Sequence, residues 1–289
     1  MRNILKLAIF TSLINYLPSV KADTIISCSH PQLCALAQTI FTENHMKNFQ
    51  FQNLVTISGD PHEYEPTTTE VKNLIKADIL IAGPTELNPW IKKVNYQRSK
   101  IVALKTLSLP MGKVEYALYP NATHEALSHF WLYPRIYCAL KAKLEEQLIA
   151  NTLLIVVPNK KSCAAEAAKI ENDLLSTLTG LKIPVVLTHD ALLPLLQTLS
   201  KNSANVVAIK GSGHHSEATP ASVKKLYDAL KKPQVIWVEE KGINIPQNIM
   251  SKKRQYDVTI SIDTAATIET MIYFPILTEL NDKLKAIKQ

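Results

Sequence analysis

Glycine is scarce in this chain, with seven among 289 residues, and the one close pair of loop character is Gly211 and Gly213. Neither G-x-G-x-x-G nor G-x-x-x-x-G-K-[ST] occurs, so the backbone cradle that nucleotide phosphates need is missing. The sequence also lacks H-E-x-x-H, the motif that supplies a zinc hydrolase with two ligands and a linked base. None of the four cysteines shows the C-x₂-C spacing of a structural zinc site. The basic excess, formally +7, is scattered in small groups such as Lys160–Lys161, Lys231–Lys232 and Lys252–Lys253–Arg254. No aromatics interleave with these groups, which argues against a nucleic-acid footprint.

What is present begins with a leader. Arg2 and Lys6 precede an apolar stretch over residues 7–17, and Val20 and Ala22 stand at small-residue cleavage spacing. The stretch is far short of the roughly 20 residues of a membrane-spanning helix. Residues 1–22 are therefore expected to be a secretory signal cleaved after Ala22, leaving an exported, soluble protein without a cysteine-linked lipid. Loss of three basic side chains with the leader would reduce the formal charge from +7 to +4.

Export permits disulfides, and four thiols allow three pairings. Cys28 and Cys34, six apart at a strand end and a helix start, are the favoured pair. Cys138 and Cys163 each fall within a helical pattern and are expected to be buried free thiols.

Short β-rich runs alternate with helical patterns, the signature of a parallel α/β architecture. Strands are expected at 24–28, 54–58, 78–82 and 101–105, and again at 184–188, 206–210, 235–239 and 258–262. Helices at 191–200 and 221–231 separate members of the second set. Between the sets, Ala167, Ile170, Leu174, Leu178 and Leu181 recur at three- and four-residue spacing, with Asn159 suited to cap the start and Gly180 the end. The pattern predicts two similar parallel-sheet α/β lobes, 23–157 and 182–289, with a long helix over 158–181 that either packs along both lobes as a stiff strut or lies on the surface of one of them.

Open α/β sheets bind ligands outside the carboxyl ends of their strands. His189 directly follows one such run, Asp263 another, and His62 lies a few residues beyond a third. His129 precedes Phe130, Trp131 and Leu132, which would wall off solvent. His62 and His129 belong to the first lobe and His189 and Asp263 to the second, so a shared site would lie in the cleft. Three neutral imidazoles and one carboxylate suit Zn²⁺, Mn²⁺ or Fe²⁺ and make a poor cage for Ca²⁺. Glu65 either orients His62 from behind or serves as a solvated or capping residue. His214 and His215 are read as solvated loop residues, with a secondary ligand role left open, and Trp90 as packing.

The blocks DPHEYEP, VKNLIKADILIAG, ELNPWIKK, HFWLYP, THDAL and SIDTAATIETMIYFPILTELN, in that order from residue 24 to the C-terminus, resemble the zinc- and manganese-binding solute-binding proteins of bacterial ABC transporters. The resemblance implies that His62, His129, His189 and Asp263 are four ligands of one divalent transition metal, carried as cargo to a membrane permease. It also implies two lobes on a fairly rigid helix. A monomer without enzymatic activity is expected; the alternatives are a zinc-dependent hydrolase and a metal-stabilised surface adhesion or scaffold protein. Two departures stand out: Tyr133 occupies the position where such proteins commonly carry aspartate, and Pro275 is expected to kink the last helix. The histidine-rich insertion of many zinc-specific members is also missing, which leaves manganese and iron open.

Overall fold

The computed structural model describes residues 23–53, 65–83, 90, 105–119, 123, 129–154, 162–200, 205–210, 218–241, 243–263 and 274–288. The first lobe contains β1 (Thr24–Cys28), α1 (Pro31–Glu43), β2 (Phe49–Asn53), α2 (Thr68–Ile75), β3 (Ile79–Ala82), β4 (Lys105–Ser108) and α3 (Lys113–Ala117). A 3₁₀ turn, Phe130–Leu132, leads into α4 (Pro134–Ala150), and α5 (Cys163–Thr179) follows. The second lobe contains β5 (Val185–His189), a 3₁₀ turn at Asp190–Leu192, α6 (Leu193–Leu199), β6 (Val206–Lys210) and α7 (Pro220–Leu230). It continues through β7 (Ile236–Glu240), α8 (Gln247–Met250) and β8 (Val258–Ile262) to α9 (Pro275–Lys288).

Each lobe holds a four-stranded, all-parallel sheet with the same connectivity, β2-β1-β3-β4 in the first and β6-β5-β7-β8 in the second. Parallel pairing needs crossovers, and α1, α6 and α7 supply them from the helical segments between strands. Pleating sorts the second sheet's residues: Val185, Leu187, Ile236 and Val238 face the main core, whereas Val186 and Trp237 face a separate cluster with Leu226 and Ile249. The main core runs without a break from Ile26 and Ile81 through Leu140, Leu144, Leu174 and Leu178 to Val185 and Leu280. Helix α5 packs against α4, α6 and α9, joining both lobes through buried apolar side chains. No helix among the described residues is long and apolar enough to cross a membrane.

Several expectations need correction. Cys138 and Cys163 are not free thiols but a disulfide, formed because α4 and α5 lie side by side and bring their Cα atoms to 5.6 Å. Cys28 and Cys34 are bonded as expected. Strand β2 ends at Asn53, ahead of the run at 54–58, which lies outside the described residues. Its sequence FQFQN looks polar, yet Phe49 and Phe51 both pack edge-on against Phe41. Of the expected strand at 101–105, residues 101–104 lie outside the described residues and Lys105 begins β4. Ser162, accepting from the Ala165 N–H, caps α5, while Asn159 lies outside the described residues and Gly180 sits at the C-cap. Pro275 is the first residue of α9, where its fixed φ and missing donor cost nothing, so it starts the helix and does not kink it.

Candidate metal centre

His129 is the residue before the 3₁₀ turn and is 95% buried, its ring edge-on to Trp131 at 5.4 Å. The turn's Phe130, Trp131 and Leu132 are buried, as the sequence suggested. His189 closes β5, opposite Lys210 in register, and opens the turn Asp190–Leu192. The two imidazoles, one from each lobe, lie edge-to-face with centroids 5.7 Å apart.

Asp263 directly follows β8, and its carboxylate lies 3.8 Å from the Lys241 ammonium, with 40% of its side chain exposed. Among the described residues no three His, Cys, Asp or Glu side chains converge as a metal cage. The structure thus brings His129 and His189 together, while Asp263 stands beside Lys241. His62, His214 and His215 lie outside the described residues. Glu65 is described and exposed; the cap of α2 is Thr67, in a reciprocal capping box with Glu70. Trp90 is buried.

Two carboxylates missed in the sequence surround His189. Glu240, at the end of β7, is buried with its Oε2 3.5 Å from His189 Nδ1, and Asp190 Oδ1 is 3.9 Å from Nε2. The Glu240 N–H donates to Thr188 Oγ1 at 3.1 Å, tying the tips of β7 and β5 together. Glu240 shares strand parity with Ile236 and Val238, so the pleat alone directs it inward. A carboxylate beside one imidazole nitrogen is the arrangement that fixes a metal-binding histidine's tautomer and raises its basicity.

His30 is a second buried imidazole near this region: it stacks on Trp131 at 4.9 Å, and its Nδ1 accepts the Gln32 N–H at the start of α1. Behind the 3₁₀ turn, the Tyr133 hydroxyl donates to the Ala191 carbonyl at 2.6 Å. Tyr119 packs edge-on to Tyr133 and donates to Glu171 of α5 at 2.6 Å, and Arg135 also bonds Glu171. Burial foremost, then the Asp190 carboxylate, raise the Tyr133 pKa well above the ordinary phenol value, so the hydroxyl stays a donor.

The zinc-binding lipoprotein AdcA of Streptococcus pneumoniae (strain ATCC BAA-255 / R6) is 24% identical over 253 residues, 82% of this chain and 50% of AdcA. The chain thus spans about half the length of that relative. The manganese ABC transporter substrate-binding lipoprotein PsaA of Streptococcus pneumoniae is 22% identical over 276 residues, 89% of this chain and 88% of PsaA. Among solved structures, the Streptococcus pneumoniae AdcAII protein matches with a TM-score of 0.65 at 14% identity, covering 94% of this chain and 100% of that one. The periplasmic zinc-binding protein TroA from Treponema pallidum matches with a TM-score of 0.64 at 14% identity, over 93% of this chain and 99% of TroA. These two likenesses show a common fold of two α/β lobes. Residues 26–284 match the family described as zinc-uptake complex component A, periplasmic, and the chain belongs to that family.

Proposed function

We propose that the chain is an exported, periplasmic solute-binding protein that captures one divalent transition metal ion between its lobes and delivers it to an ABC-type membrane permease. Residues 1–22 serve as the cleaved leader, 23–157 and 182–289 as the lobes, and 158–181 as the link. His62, His129, His189 and Asp263 are the ligands, and the protein acts as a monomer that breaks no bond in its cargo. The single observation that carries this reading is the meeting of His129 and His189 from opposite lobes, 5.7 Å apart, with family membership as its frame.

The donor set suits Zn²⁺ or Mn²⁺, the metals named for the relatives AdcA and PsaA, with Fe²⁺ open to the same ligands. Asp263 beside Lys241 indicates how loading proceeds: the carboxylate must exchange an exposed ammonium for the metal, a side-chain movement compatible with modest lobe closure. With α5 packed on helices of both lobes, a wide hinge is disfavoured.

The test is elemental analysis and titration of the chain from residue 23 onward with Zn²⁺, Mn²⁺ and Fe²⁺, beside a His62→Ala/Asp263→Ala variant. One tightly held ion per chain, lost in the folded variant, is expected. Equal metal content in both proteins would remove the assignment.

A further inference from the structure

Tyr133 sits where the two proposed histidine ligands are supported. It ends the turn that follows His129 and opens α4. Its hydroxyl crosses to the other lobe and donates to the carbonyl of Ala191, two residues after His189, at 2.6 Å. Both Tyr133 and Ala191 are fully buried. The ring is braced by Tyr119, which bonds Glu171 on the joining helix, and Arg135 lies over the Tyr119 face at 4.8 Å. One continuous set of contacts therefore runs from α5 through Tyr119 and Tyr133 to the turn behind His189.

We propose that Tyr133 is a positioning residue that latches the His189 turn to the His129 turn, presetting the gap between the two imidazoles and slowing metal release. The proposal rests on the metal-binding reading for its functional half; its structural half concerns the metal-free protein. The bond is buried, and removing the donor leaves the Ala191 carbonyl without it in a place water does not replace, which makes the loss large for a single oxygen atom. Without the latch, the His189 turn is free to sample positions that do not match His129, and bound metal escapes through them.

The test compares the mature wild-type chain with Tyr133→Phe, which deletes only the hydroxyl, and with Thr177→Val. Thr177 also makes a buried hydrogen bond, to Asn281 between α5 and α9, but touches neither histidine turn. Amide hydrogen exchange is measured without metal, and zinc release into excess chelator is measured by stopped flow. Tyr133→Phe is expected to speed exchange selectively over residues 188–193 and zinc release about tenfold, the effect one buried hydrogen bond commands. Thr177→Val is expected to lower thermal stability while leaving release unchanged. Unchanged exchange over 188–193 in Tyr133→Phe overturns the latch. Equal acceleration of release by both variants shows a general loss of stability and also overturns it. A wild type that binds no zinc defeats the functional reading alone, because exchange in the metal-free protein still decides the latch.

Discussion

The two lobes repeat one strand order, yet they are held together by different means. In the first, Cys28–Cys34 joins β1 to α1, and Cys138–Cys163 ties α4 to the joining helix. The second lobe has no cysteine, and among its described residues a carboxylate, Asp257, gathers a comparable fastening. Asp257 accepts from the N–H of Val235, the indole of Trp237, and the backbone and guanidinium of Arg254, whose other nitrogen reaches the Leu230 and Lys232 carbonyls. The first lobe and α5 thus form a covalently braced platform that carries buried His129. The second lobe presents His189 and the more exposed Asp263 from strand tips. The comparison assigns fixed geometry to one half of the proposed site and adjustment to the other.

Removing either histidine should have the largest effect. His129→Ala and His189→Ala are each expected to weaken zinc affinity by more than the roughly 10- to 100-fold that loss of an outer partner causes, with the circular dichroism spectrum retained. Retained affinity in one of them would show that the site belongs to a single lobe.

The disulfides come next. Loop-closure entropy assigns about 3.5 kcal/mol to the bridge across a separation of 25 residues and about 2 kcal/mol to that across 6. Urea unfolding of Cys138→Ala/Cys163→Ala should therefore show the greater loss. The reverse order would mean that the short bridge carries the platform.

Asp257 sharpens the other side of the comparison. Burial alone would raise its pKa, but the hydrogen bonds from Arg254, Trp237 and Val235 outweigh that and hold it below the ordinary aspartate value. With the folded pKa depressed, the stabilisation is complete above the unfolded value near 4 and is lost as pH falls through the folded one. Asp257→Asn should lower stability at neutral pH by about 1–3 kcal/mol, with a shallower loss than wild type on acidification. Parallel pH profiles would remove Asp257 from this role. The smallest effect belongs to Glu240→Gln, expected to weaken zinc binding about tenfold by loosening the orientation of His189, at the lower end of such losses. Unchanged zinc affinity would show that the 3.5 Å approach has no bearing on His189.

The strands at 24–28, 206–210 and 258–262 were legible to the residue because their runs are rich in β-branched side chains, set at consecutive buried positions in VVAIK and at alternate ones in VTISI. The edge strand FQFQN was not, since only its packing on Phe41 reveals its inward face. Disulfide Cys138–Cys163 was hidden because helix-to-helix contact is a tertiary fact absent from spacing. Glu240 was readable in principle from its parity with Ile236 and Val238, whereas the pairing of Asp263 with Lys241 depends on how β7 and β8 end side by side. Tyr133 was visible as a departure, but its partner Ala191, 58 residues away, was not.

A crystal structure of the zinc-loaded chain, with anomalous data collected at the zinc edge, tests the central claim most directly. The account predicts one strong peak within about 2.0–2.2 Å of a nitrogen of both His129 and His189 and an oxygen of Asp263, with Asp263 drawn away from Lys241. A peak held by one lobe alone, with either His129 or His189 unengaged, would contradict it.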